Sequence, residues 1–66
     1  MLSLKDARKK RGITQVAVAS ALGISRQTYS KLEQDPALMK IEQAEKACDF
    51  MGYSPDEISF FAEKCK

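Results

Sequence analysis

Three glycines punctuate this chain. Gly12, Gly23 and Gly52 each follow a run of helix-forming residues, and two positions after each stands Thr14, Ser25 or Ser54. Glycine is the usual residue just past a helix end, and Ser or Thr is favoured at the cap of the next helix. The chain must therefore turn often, and its helices are short. Helices of this length do not hold alone in water, so they must share one core. With 66 residues there is room for a single domain spanning 1–66. Folding a chain of that size hides only about 60% of its unfolded surface.

The segments between these marks read as helices. Ser3 with Asp6 resembles a capping box, with Asp in place of Glu or Gln, ahead of a helix over Leu4–Lys10. Thr14 caps QVAVASAL, which ends at Gly23, where only a residue without Cβ takes the left-handed conformation freely. Ser25 caps RQTYSKLE, placing Tyr29 and Leu32 on its inward face. Gln34 to Leu38 form a loop around Pro36. A fourth helix follows to Met51, with Ile41, Ala44, Ala47, Cys48 and Met51 on an i, i+3, i+4 stripe. Ser54 caps and Pro55 opens a fifth helix carrying Ile58, Phe61 and Ala62. No segment alternates like a strand. The expected fold is all-α, a compact five-helix domain.

Composition excludes several classes of function. Apolar residues are 44% and charged residues 30%, as in a folded globular domain. The longest apolar run, Val16 to Ala19, is too short to span a bilayer, and the segment MLSLKDARKKRG lacks the apolar stretch of a signal peptide. Cys48 and Cys65 are too few for a disulfide framework, so a reduced, cytoplasmic chain is expected. Cys48 lies on the apolar stripe and reads as a core residue; Cys65 reads as an exposed thiol. There is no His, no paired metal-ligand spacing and no glycine-rich phosphate loop, so neither metal nor cofactor is expected. Glu42, Glu45, Asp49, Asp56 and Glu57 read as a solvated face, and no enzymatic centre emerges.

Charge is unevenly spread. Residues 1–31 carry seven cations and one anion, and residues 32–66 four cations and eight anions. One basic end facing a polyanion is the electrostatic footprint of a nucleic-acid binder. Helices two and three, joined by the short turn at Gly23, have the layout of a DNA-binding helix-turn-helix. Tyr29 and Leu32 hold the third helix down, which leaves Arg26, Gln27, Ser30 and Lys31 outward. Arg can pair bidentately with guanine and Gln with adenine. The helix N-termini capped by Thr14 and Ser25 offer N–H groups to phosphates.

The blocks ARKKRGITQ, VASALGISRQTYSKLE and ACDFMGYSPDEI, in this spacing, resemble the phage Cro/repressor-type helix-turn-helix family, often called XRE. The resemblance runs from Leu4 through Ile58, about five-sixths of the chain. It implies a lambda-repressor-like fold and a small regulator of transcription that binds double-stranded DNA. Contexts it suggests are a Cro-like repressor, a restriction-modification controller or an antitoxin-like regulator, in a bacterial or phage-infected cell. It further implies that Gln15 binds a phosphate and braces the recognition helix. Arg26 and Gln27 match the principal base-reading positions, with Ser25, Ser30 and Lys31 beside them. Thr28 matches a place for a phosphate or a thymine methyl, and Thr14 the cap beside the backbone. Arg8 matches a basic position that can serve in an internal salt bridge, for which Glu33 is the partner. Lys9, Lys10 and Arg11 read as a phosphate-attracting cluster.

The chain also departs from the family. Where relatives carry Asn-Gly and a basic loop, this one reads QDPALMK, with no cation before Lys40. Val16 and Ala17 are apolar where helix two is normally polar. These features, with the acidic C-terminal half, support an alternative: an interaction module of the same fold, such as an antirepressor, with a protein partner. Phe60 and Phe61 are adjacent and cannot both be buried on one helical face, so one is a candidate contact for a weak homodimer through this end.

Overall fold

In the computed structural model the described residues are 2–59. They form four α-helices: α1 (Leu4–Lys10), α2 (Gln15–Leu22), α3 (Arg26–Gln34) and α4 (Ile41–Met51). Single 3₁₀ turns lie at Pro36–Leu38 and Pro55–Glu57. No described helix is long and apolar enough to cross a membrane.

One local device recurs at the glycines. At Gly23 the backbone turns left-handed, with φ at +73°. The Gly23 N–H then reaches the Ser20 carbonyl at 3.1 Å, and the Ile24 N–H reaches Ala19 at 3.0 Å. This pair of bonds satisfies carbonyls that the helix end would leave open. The same pattern recurs after α1, where Gly12 bonds Lys9 and Ile13 bonds Arg8, and after α4, where Gly52 bonds Asp49 and Tyr53 bonds Cys48. Each time the residue after the glycine packs inward. Ile13 and Ile24 lie against the core and Tyr53 within it. Then the next segment starts on a capped end: Thr14 Oγ1 accepts the Ala17 N–H and Ser25 Oγ the Thr28 N–H, both at 3.1 Å. Ser3 does the same for α1 with the Asp6 N–H.

The core gathers the inward faces of all four helices. Leu4 and Ala7 come from α1, Val18 and Ala19 from α2, Tyr29 and Leu32 from α3, and Ala47, Cys48 and Met51 from α4, closed by Met39, Tyr53 and Ile58. Tyr53 also donates its hydroxyl to the Ala7 carbonyl at 3.0 Å, tying the end of α4 to α1.

Two expectations are corrected. The segment from Pro55 makes a single 3₁₀ turn, not the start of a fifth helix. Glu57 accepts the Ser54 N–H at 2.6 Å and closes that turn. Ile58 then leaves it in an extended conformation, and the backbones of Leu2 and Ile58 form an isolated parallel bridge. The Leu2 N–H bonds Glu57 at 3.1 Å and the Ser59 N–H bonds Leu2 at 2.7 Å. Those bonds hold the chain extended while Ile58 still fills the core. The rest of that expected helix, with Phe60, Phe61, Ala62 and Cys65, lies outside the described residues. Ile41, expected on the buried stripe of α4, is 72% exposed. It stands at the first position of the helix, and Met39, just outside, is buried instead.

The left-handed turn between α2 and α3 gives a direct test. A Cβ at Gly23 would meet nothing within 4 Å, so the cost of Gly23→Ala is that of the backbone conformation alone. Urea unfolding should show a loss of about 1–2 kcal/mol for Gly23→Ala and a smaller loss for Gly23→Asn.

Candidate nucleic-acid interface

The outer side of α3 is built by what its inner side buries. Tyr29 and Leu32 are in the core, which leaves Arg26, Gln27, Thr28 and Lys31 exposed and Ser30 half-buried. Arg26 and Gln27 occupy the first turn, directly after the Ser25 cap. Ser25 Oγ also donates to Thr28 Oγ1 at 3.0 Å, so these two hydroxyls form one unit at the helix entrance.

A polar chain runs beneath this surface and joins three helices. Arg8 of α1 donates from Nε to Glu33 Oε2 and from Nη2 to Glu33 Oε1, the latter at 3.3 Å. Its Nη1 donates to the Ile13 carbonyl at 2.8 Å, in the turn after α1. Gln15, the first residue of α2, donates from Nε2 to Glu33 Oε1 at 3.0 Å. Its Oε1 accepts from Arg26 Nη1 at 3.1 Å. Gln15 thus places its amide nitrogen toward the carboxylate and its oxygen toward the exposed guanidinium. The bracing role implied for Gln15 and the Arg8–Glu33 bridge are both present in this geometry.

The pair is largely removed from water: the Glu33 side chain is 3% exposed. Burial alone would push the Glu33 carboxyl upward, but hydrogen bonds from Arg8 and Gln15 outweigh it and hold its pKa below the usual value of 4.5. The bond to Glu33 raises the Arg8 pKa in turn. The Tyr29 hydroxyl lies buried near this pair, outside hydrogen-bond geometry with any described residue. Its burial, with the carboxylate nearby, pushes its pKa far up and keeps the phenol neutral.

The other expected contacts lie at the end of α1 and the start of α2. Arg11 Nη2 donates to the Gly52 carbonyl at 3.1 Å, and its guanidinium lies 4.3 Å from the centre of the Tyr53 ring. Arg11 therefore fastens α1 to the end of α4, a role that sequence reasoning missed because the partner lies some forty residues away. Lys9 and Lys10 are exposed. Thr14 serves as the cap of α2. Val16 stands 59% exposed on a helix without charged residues.

Comparison with known proteins agrees with this arrangement. Residues 4–58 match a family model described as helix-turn-helix. The chain belongs to the Cro/repressor-type, or XRE-type, helix-turn-helix family, which is one of DNA-binding regulators. No curated protein and no solved structure matches it.

Removing one partner of the buried pair strands the other, and such a loss typically costs about 3–5 kcal/mol. Arg8→Met should show this in urea unfolding, and Arg8→Met/Glu33→Leu should recover part of it. Because the Glu33 pKa is lowered on folding, its contribution is complete above about 4.5 and lost as pH falls below that value. The stability of Glu33→Gln should therefore fall less steeply than that of the parent over this acid range.

Proposed function

We propose that the protein is a sequence-specific double-stranded-DNA-binding regulator of transcription, of the small Cro-like repressor type, that inserts α3 into the major groove. The observation that carries this reading is the pair Arg26 and Gln27, exposed on the first turn of α3, with Arg26 anchored by Gln15. The first turn is the part of a recognition helix that reaches base edges. Arg26 reads guanine and Gln27 adenine, each good bidentate pair supplying about 1–3 kcal/mol of discrimination. Ser25, Ser30 and Lys31 complete the base-facing row.

Phosphates are taken by Gln15, Thr28 and the capped N-terminus at Thr14, with Lys10 at the edge. Gln15 has a second amide hydrogen beyond the one given to Glu33, so it can brace α3 and hold a phosphate together. Arg11 is engaged by Gly52 and Tyr53, so the backbone role of that cluster falls chiefly to Lys10. Pairing of two copies through Phe60 and Phe61 would set two recognition helices on half-sites about 34–36 Å apart. A second reading, binding of a protein partner, draws on exposed Val16 and the uncharged α2.

Selection from a random duplex library at moderate salt tests the proposal. A short motif should emerge, as an inverted repeat if the protein pairs. Arg26→Ala or Gln27→Ala should relax preference at one base pair, whereas Gln15→Ala should weaken all sequences alike. Retention without a motif, collapsing with added salt, would contradict base reading. No retention at all would favour the protein-partner reading.

A further inference from the structure

Beside the proposed base-reading face lies a cleft of about 250 Å³, lined by Lys5 of α1, Gln15 of α2 and Ser30, Glu33 and Gln34 of α3. Its chemistry is that of an anion seat. It presents an ammonium, two side-chain amides and a hydroxyl, all able to donate. Its one carboxylate, Glu33, is already compensated, because Arg8 holds both of its oxygens and Gln15 takes one of them again. Lys5 itself is exposed and joins no ion pair among the described residues.

Position decides which anion fits. Arg26, Ser30 and Gln34 follow one another at intervals of four, so they form a single ridge along α3. The proposed base reader stands at one end of that ridge and the cleft at the other, with Gln15 touching both through its bond to Arg26 and its place in the lining. A helix lying in the major groove brings such a neighbouring cleft to the sugar–phosphate backbone. The chain also lacks cations between Lys31 and Lys40, so backbone contacts have to come from other elements. We propose that this cleft seats a backbone phosphate of the bound duplex, with Lys5 as its charged ligand and Gln34 as a neutral donor. The inference rests on the DNA-binding reading and adds to it a phosphate site whose charged ligand, Lys5 of α1, lies outside the helix-turn-helix unit.

Binding of the intact protein to its selected duplex and to an unrelated duplex, each over a range of salt, tests it. Lys5→Ala should weaken both severalfold and by the same factor, and should lower the slope of log K against log salt by about 0.9, the value for one phosphate contact. Lys5→Arg should restore the slope. Gln34→Ala should weaken both duplexes at unchanged slope, which a diffuse effect of net charge would not produce. Lys46→Ala, on the exposed face of α4, supplies the comparison for loss of one remote charge. Parental affinity and slope in Lys5→Ala, with the parent still binding its motif, would overturn this site alone. The same holds if Lys5→Ala and Lys46→Ala reduce the slope equally. Absence of duplex binding by the parent would instead overturn the DNA-binding reading, and the cleft's role with it.

Discussion

The buried ion pair between Arg8 and Glu33 is the constraint on which the rest of this structure depends. Taking both charges out of water is costly, and a pair in such a place adds little net stability unless its remaining hydrogen-bonding capacity is met. Here it is met: Arg8 also holds the Ile13 carbonyl, and Glu33 also accepts from Gln15. The result is orientation more than strength. The ends of α1 and α3 and the start of α2 share one polar node, and through Gln15 that node extends to Arg26 at the surface. A side chain as flexible as arginine loses much entropy on ordering. In the proposed DNA complex, anchoring Arg26 before binding would remove part of that cost.

Around the node, stability comes from repetition. Three helix ends close with the same pair of backbone bonds after a glycine, and each sends the following residue into or against the core. Helices of seven to eleven residues would melt if isolated. Held at both ends by caps and turns, they need only a modest apolar core to stay in place. Arg11 plays the same part on the far side of α1, capping α4 through Gly52 and lying on Tyr53, whose own hydroxyl returns to Ala7. The basic end of the chain thus serves two purposes: some of its cations build the scaffold, and others remain for a polyanion.

Much of this was legible in the sequence because it is local. The bounds of α1, the caps at Ser3, Thr14 and Ser25 and the turn at Gly23 follow from residue types within a few positions of one another. The inward placement of Tyr29 and Leu32, and with it the exposed Arg26 and Gln27, follows from helical periodicity. What could not be read depends on distant partners. The signals at Ser54 and Pro55 begin a helical turn correctly, but the backbone of Leu2 then holds Ile58 extended. Ile41 fits the stripe by spacing, yet Met39 is the residue that the core takes in. Arg11 carries no local mark that separates it from Lys9 and Lys10. Family resemblance implies a bracing role for Gln15 and the Arg8–Glu33 bridge, but spacing alone does not show that Gln15 joins Glu33 to Arg26.

In the proposed complex the buried pair, acting through Gln15, sets the geometry with which Arg26 meets a base. A double-mutant cycle on duplex affinity measures this directly, using Glu33→Gln and Arg26→Ala alone and together, at a temperature where all remain folded. If the account is right, the two changes are coupled, with an interaction energy of about 0.5–3 kcal/mol, because loss of the carboxylate already costs Arg26 part of its function. Strict additivity would show that Arg26 reads DNA independently of the network beneath it, and would contradict the account.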